Sequence, residues 1–364
     1  MLYYILLVII LIVVAVYLFM QTMPFGKHAS GNRLDAIKNS PNFSIGQFQN
    51  QSVTPALAEG TNMFMVMNDF FFKKSITNIP LKVLPSVKTD LKMLPVGENV
   101  LVWFGHSSYF LQVDGKKVLV DPVFSGHASP LNFTTKSFKG SDAYTADDMP
   151  SIDFLFITHD HWDHLDYRTV IKLNPKVKRI ITGLGVGEHL EKWGFNPKII
   201  TEKDWNDEVD LEDGFKVFTT PSRHFSGRGF KRNQSLWMSF VLLSPTLKIF
   251  IGGDSGYDTH FKKIGDTFGP MDIAILECGQ YNPYWKYIHM MPEEVVQAAK
   301  DLKAAAFIPI HWSKFSLAKH AWNDPITRVT AEAAKQHVNM KAGMIGEKIP
   351  LTTQNNFNDW WTKI

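Results

Sequence analysis

The residues best suited to chemistry lie together in Thr158-His159-Asp160-His161-Trp162-Asp163-His164-Leu165-Asp166. A lone histidine in such a place is ordinarily a satisfied structural residue. Three histidines and an interleaved aspartate, packed together without a counter-ligand, would leave several polar groups with competing needs. A divalent cation resolves the conflict, because imidazole and carboxylate suit zinc and similar first-row ions. The cluster follows Asp153 to Ile157, a short apolar run that reads as a strand. Alternation at the strand end aims His159 and His161 the same way, and the turn beyond points Asp163 and His164 at a second position. Two adjacent metals are the expectation.

Two metals need more ligands than one loop supplies. Three further candidates each stand just past a strand-like run: His224 after Phe215 to Thr220, Asp254 after Lys248 to Ile251, and His311 after Ala306 to Ile310. Gly252, Gly253 and Gly256 flank Asp254 and let the backbone approach the site closely. The single cysteine, Cys278, excludes an internal disulfide framework and a thiolate-rich zinc cluster. The metals must then be held by histidine and carboxylate, with zinc the first choice and manganese or iron able to share such ligands.

The elements that position these residues belong to a layered α/β (α+β) protein with mixed sheets. Val100 to Phe104 reads as a buried strand, and Asp114-Gly115 joins Tyr109 to Val113 and Lys117 to Val120 in a hairpin. Arg179 to Thr182, Phe215 to Thr219, Leu236 to Leu243 and Lys248 to Ile251 are further strands, with helices at Gly187 to Trp193, His260 to Phe268 and Pro292 to Leu302. The last helix opens on Pro292, with Glu293 and Glu294 in its first turn, as the positive end of a helix favours. No GxGxxG or GxxxxGK[ST] loop is present, so a nucleotide-binding reading loses its main support. With 45% hydrophobic and 20% charged residues the chain can build a substantial core, and a net charge of +3 gives no case for nucleic acid as a partner.

Leu2 to Met20 is an unbroken apolar run. As a helix it would span roughly 28 Å, about the thickness of a bilayer's hydrocarbon core. A cleaved signal peptide fits less well, because no Lys or Arg precedes the run. Residues 1–21 are therefore expected to form a single-pass transmembrane anchor. Lys27, Arg33 and Lys38 follow it and vote for a cytoplasmic catalytic domain. Residues 22–95, broken by proline and glycine, read as an arm packed on a main domain at 96–350, with a tail at 351–364. Phe70, Phe71 and Phe72 in the arm read as a buried anchor, with a lipid-facing or homodimer-facing patch as the alternative.

The His-x-His-x-Asp-His motif, followed by His, Asp and His at successive strand ends, resembles the metallo-β-lactamase superfamily. That resemblance implies a four-layer αβ/βα sandwich with two metals at the sheet edge. His159, His161 and His224 would hold one, Asp163, His164 and His311 the other, and Asp254 would bridge. Gly105-His106-Ser107-Ser108, Leu119-Val120-Asp121-Pro122-Val123-Phe124, Gly253-Asp254-Ser255-Gly256-Tyr257, His289-Met290-Met291-Pro292-Glu293-Glu294 and Ile310-His311-Trp312-Ser313-Lys314-Phe315 resemble a narrower group. This is the N-acyl-phosphatidylethanolamine-hydrolysing phospholipase D family with its bacterial relatives. It implies cleavage of a phosphodiester, in a membrane phospholipid, by water activated between two metals. Asp163 would orient that water and His289 would assist at the substrate, although spacing alone makes His289 a surface histidine before a helix. The animal enzymes lack a span like Leu2 to Met20, which leaves the headgroup open.

Around this set, Asp121 is a candidate to accept from a ligand histidine, with His106 in a supporting or core place. Asp160 and Asp166 suit loop backbone groups. Arg223, Arg228, Lys231 and Arg232 either attract a phosphate or anionic leaflet or form an ordinary solvated loop. Trp285, Tyr287, Trp312 and Phe315 either line a substrate pocket or pack the core. The same metal site would also serve a lactonase, thioesterase or β-lactamase, since fold does not fix the bond attacked. A non-catalytic membrane protein with structural metal is the remaining class; structural zinc sites are usually closed and single-metal.

Overall fold

The computed structural model describes residues 1–72, 77–354 and 357–364. It opens with helix α1 (Leu2–Met20), whose residues are uniformly apolar and unburied, a helix long enough to cross a membrane. The arm carries α2 (Gly31–Asn39), the small hairpin β1 (Phe43–Ser44) and β2 (Gln47–Phe48), and α3 (Met63–Phe72). The next strands are β3 (Val100–Trp103), β4 (Tyr109–Val113), β5 (Lys116–Val120) and β6 (Ile152–Ile157). Helix α4 (Tyr167–Leu173), β7 (Val177–Gly183), α5 (Gly187–Lys192) and β8 (Ile200–Lys203) follow. The second half contains β9 (Glu208–Glu212), β10 (Phe215–Thr220), β11 (Ser239–Leu243), β12 (Lys248–Ile251), α6 (His260–Phe268) and β13 (Met271–Glu277). It ends with α7 (Pro292–Asp301), β14 (Ala304–Ile310), α8 (Asp324–Lys335) and β15 (Lys348–Pro350).

The strands form two larger sheets, ordered β15-β3-β4-β5-β6-β7-β8 and β14-β13-β12-β11-β10-β9. Side chains alternate between faces along each strand, and in the first sheet the division between two buried cores follows that period. Leu101, Trp103, Leu111, Val118 and Phe156 of the first sheet join the core shared with the second, which holds Val217, Phe240 and Ile249. Their neighbours Val102, Phe110, Leu119, Leu155 and Ile157 face away, onto Val170 and Leu173 of α4 and Leu190 of α5. On the far side of the second sheet, α7 packs Val295, Val296 and Ala299 into the same shared core cluster. Helix, sheet, sheet and helix are thus stacked as the four-layer αβ/βα sandwich.

Strand direction decides where the loops meet. β5, β6 and β7 are parallel, and β3 points the same way because two antiparallel steps separate it from β5. In the second sheet β12, β13 and β14 are parallel, and β10 joins them through two antiparallel steps. The loops after β3, β5, β6, β10, β12, β13 and β14 therefore leave from the carboxyl ends of their strands, where open α/β sheets place their ligands.

The arm is fastened to this edge by polar contacts. The Arg33 guanidinium pairs with Glu188 at 2.8 Å, Glu191 at 2.5 Å and also Glu202. Trp193 Nε1 donates to Met23 O at 2.7 Å, and Phe48 is fully buried. The expected strand Leu236 to Leu243 begins only at Ser239, because Leu236 and Met238 donate their N–H groups to Leu184 O and Thr158 O of the other sheet's loops. A buried anchor does not describe Phe72, which is 79% exposed on α3 beside exposed Phe64 and Met67; the side chains of Phe70 and Phe71 lie outside the described residues.

His260 opens α6 as a buried imidazole, its Nε2 3.2 Å from Ser255 Oγ, and burial pushes it down to about 4. A histidine depressed in the folded state stabilises the protein above its unfolded value, and that contribution fades as pH falls towards the folded one. A drop from about 6.5 to 4 corresponds to about 3 kcal/mol at most. We expect His260→Gln to flatten the loss of stability between pH 6.5 and 4.5 in denaturant titrations. An unchanged slope would show that the imidazole is not held neutral.

Candidate metal centre

At the edge where those loops converge, His159 and His161 follow β6, with His159 Nε2 2.9 Å from His161 Nδ1. His224, beyond β10, brings its Nε2 to 3.2 Å from the same His161 atom. Two imidazole nitrogens can share one proton, but three converging nitrogens without a common cation cannot all be satisfied. Beside this trio, His164 Nε2 lies 3.2 Å from Asp254 Oδ2 and 3.5 Å from Asp163 Oδ2, and His311 Nδ1 lies 3.2 Å from Asp254 Oδ1. Asp254 Oδ2 is also 3.7 Å from His224 Nε2, so its carboxylate stands between the two groups. Donor atoms of His159, His161 and His224, of His106, Asp163, His164 and His311, and of His159, His164 and Asp254 lie within 4.8 Å of one another in each set.

The other nitrogen of most of these histidines is already engaged. His164 Nδ1 meets Asp121 Oδ2 at 2.8 Å, His224 Nδ1 meets Ile288 O at 2.9 Å, and His311 Nδ1 meets Ser107 Oγ at 2.7 Å. His159 Nδ1 lies 3.0 Å from Thr158 Oγ1. Such partners fix ring orientation and leave the remaining nitrogen for a metal. His164 Nε2, His311 Nε2 and Asp254 Oδ1 make no hydrogen bond among the described residues, although all are buried. Orphaned buried polar atoms of this kind call for an ion.

Electrostatics agree. Burial holds the imidazoles of His159, His224 and His311 well below their ordinary value, in the neutral form that binds metal. Burial opposes charge at His164 as well, but Asp254 and Asp163 outweigh it and hold its imidazole well above the ordinary value. Burial likewise opposes the charge on Asp163 and Asp254, and His164 with its neighbours keeps both well below the carboxylate range. Positive charge is what this pair of carboxylates demands, and a proton on His164 supplies it when no cation does. The donor set therefore fits two divalent ions held by nitrogen and oxygen.

Backbone geometry makes the convergence possible. His106, Asp121 and His311 have φ of 54°, 41° and 70°, the left-handed region that side-chain-bearing residues rarely adopt and that clusters at functional sites. A Cβ on Gly279 would fall 2.2 Å from His311 O, so glycine is required there to let the loops after β13 and β14 touch.

The remaining sequence candidates divide clearly. His289 sits beside the cluster with its ring 5.2 Å from that of His311 and 5.1 Å from that of His224, so it is no surface residue. His106 Nε2 donates to Asp163 Oδ2 at 2.8 Å. Asp160 takes Gly227 N at 2.6 Å and Ser235 Oγ at 2.9 Å, and Asp166 caps α4 while accepting from Ser125 N at 3.0 Å. The basic loop is not uniformly solvated. Arg228 is buried, donating to Asp160 O, Leu165 O and Pro24 O, with its guanidinium 3.9 Å over the Trp162 ring; burial pushes it down to about 10. Arg223 donates to Val53 O and stacks over Tyr287, whereas Lys231 and Arg232 are exposed. Trp312 and Phe315 are core residues.

Two site residues escape the sequence reading. Glu277 ends β13, fully buried, with Oε1 3.6 Å from His289 Nδ1 and accepting from Met290 N at 2.8 Å; burial raises it to about 7. An acidic residue closing an apolar strand was the available signal. Asn50, in the arm, pairs with both backbone groups of His224 at 2.7 and 3.1 Å, and nothing local marks it.

Residues 116–312 match the family model for the β-lactamase superfamily domain. The chain belongs to that superfamily, as a metal-dependent hydrolase of the metallo-β-lactamase fold. It is 33% identical over 329 residues to an uncharacterised protein of Mycobacterium tuberculosis, covering 89% of this chain and 88% of that one. It is 32% identical over 232 residues to N-acyl-phosphatidylethanolamine-hydrolyzing phospholipase D 1 of Caenorhabditis elegans, covering 59% of this chain and 64% of that one. The solved structure of Igni18, a metallo hydrolase from Ignicoccus hospitalis, shares the fold with a TM-score of 0.52 at 20% identity, over 69% of this chain and 97% of that one.

Asp121→Asn removes the carboxylate that receives His164 Nδ1 and should weaken metal binding about 10–100-fold, read by metal content against free zinc. Unaltered affinity would show that Asp121 does not support a ligand.

Proposed function

We propose that the protein is a phospholipase D-type phosphodiesterase that hydrolyses N-acyl-phosphatidylethanolamine or a related membrane phospholipid. The observation that carries this reading is His289, a buried imidazole seated against the ligand histidines and backed by Glu277. The nematode relative, named for this activity, supports it, as does an apolar helix able to hold the enzyme at its substrate's surface.

In this reading His159, His161 and His224 would hold one ion and Asp163, His164 and His311 the other, with Asp254 available to both. Divalent ions held there would lower the pKa of a bound water and supply positive charge for the phosphoryl oxygens. Zinc suits the ligand set, with manganese or iron compatible. The protein's own share is positioning. Asp163 is held through Oδ2 by His106, so its carboxylate is fixed in direction and orients the attacking water. His289 faces Glu277 through Nδ1, which favours a proton on the ring. Its other nitrogen then donates to a phosphoryl oxygen or to the departing alcohol. Residues 1–21 serve as a single-pass anchor with the catalytic domain on the cytoplasmic side; protection of that domain from protease outside sealed inverted vesicles would contradict this orientation.

The direct test offers the metal-replete full chain N-acylated and ordinary phosphatidylethanolamine, a lactone panel and a β-lactam. Phosphatidic acid should form, and lactone turnover with no phosphodiester turnover would overturn the proposal. Asp254→Ala should lose both metals and activity. His289→Ala should keep its metals yet lose about 10²–10⁴-fold in kcat, the share of a positioned acid or base. Full turnover in that variant would remove His289 from the chemistry.

A further inference from the structure

Between the last turn of α1 and the metal loop lies a groove of 380 Å³. That volume falls within the range of about 300–1,000 Å³ typical of small-molecule pockets. We propose that this groove receives one acyl chain of a membrane lipid and delivers its headgroup to the metal site, a proposal that rests on the phospholipid reading above.

One wall is Val16, Phe19 and Met20 of α1, and the other is Trp162 of the metal loop with Phe225 beside His224. A continuous series of rings joins the two. Phe19 meets Phe25 at 5.2 Å, and Phe25 meets Trp162 at 5.1 Å, both edge to face. At the inner end, Phe225 packs on His161 at 4.4 Å, and His161 is partly exposed where His159, His164, His224 and His311 are buried. An apolar path therefore leads from a bilayer-length helix to the accessible ligand of the cluster.

The occupant follows from position and charge. Residues of α1 can reach lipid along their whole length, since none is buried, so a groove built from its final turn opens at the bilayer boundary. Phe230, 85% exposed, stands at that mouth, where an aromatic ring suits the lipid–water interface. The exposed Arg232 lies over Phe225 at 4.9 Å, next to where a phosphodiester following its acyl chain would arrive. An apolar slot beside a cation matches a lipid tail beside a phosphate. A larger cavity of 780 Å³ lies around Phe133, Trp285 and Leu317, but α1 contributes nothing to its lining.

The test places the full chain in vesicles of phosphatidylethanolamine and phosphatidylglycerol. These carry a phosphatidylethanolamine with a photoactivatable diazirine at the end of one acyl chain. Irradiation and peptide mapping should find adducts at residues 16–25, 162 and 225–230. Met20→Trp, which fills the groove, should cut adducts at 225–230 about tenfold, the effect of losing roughly two buried methylenes from the tail's contact. Leu11→Trp, on the same helix outside the groove, should not. Adducts confined to the larger cavity, or spread evenly along α1 and unaffected by Met20→Trp, would overturn the proposal. Release of phosphatidic acid is scored in the same vesicles. Groove adducts without phosphodiester cleavage would uphold the groove and refute the proposed reaction, whereas cleavage with adducts elsewhere would do the reverse.

Discussion

Two buried carboxylates, Asp163 and Asp254, placed among seven buried or half-buried imidazoles are the constraint on which the rest of this structure depends. Charges removed from water are expensive unless matched. Here the match cannot come from a lysine or arginine without filling the site. A proton on His164 or a compact divalent cation can supply it, and the strand ends bring the ligands of such a cation to one place. Seven strands from two sheets end at one edge, and each loop beyond them contributes one or a few side chains.

The support around the ligands has a common logic. Asp121, Ser107, Ile288 O and Thr158 each engage one nitrogen of a ring and so fix which nitrogen looks inward. Three residues of this cluster and its supports, His106, Asp121 and His311, adopt left-handed backbone that side chains disfavour. Strain of that kind costs of order 1–3 kcal/mol per residue and persists where surrounding structure over-determines it. Here the two packed sheets and the hydrogen bonds around the cluster supply that determination.

Much of this was legible in the residues themselves. The ligand set is polar, dense and placed after apolar runs, so chemistry alone exposes it, and the hairpin at Asp114-Gly115 and the helix opening at Pro292 follow from local rules. What stayed hidden is what depends on distance in the chain. β13 reads Met-Asp-Ile-Ala-Ile-Leu-Glu, a short apolar run that periodicity cannot assign, so the importance of Glu277 at its end went unseen. β9, by contrast, alternates strictly as Glu-Val-Asp-Leu-Glu in step with its exposed and buried positions, so its period was legible although its charged residues are poor strand formers. Asn50 and Arg228 matter only because the arm folds back over the metal loop, and no spacing encodes that return. Arg228 shows how composition misleads, since a residue in a basic cluster proves to be a buried tie between carbonyls.

Under the anchored reading proposed above, that tie has a consequence for how the domain could be separated from a membrane. Arg228 holds Pro24 O and two carbonyls of the metal loop in one grip, while Lys192 holds Gly26 O at 2.7 Å and Met23 O receives Trp193. The first residues after the helix are thus stitches in the catalytic rim rather than a tether. A protease that cut α1 ahead of Val16 would set the domain free with its rim and groove intact. A cut only a few residues later would unpick the rim as it released the domain, so shedding and silencing would be a single event.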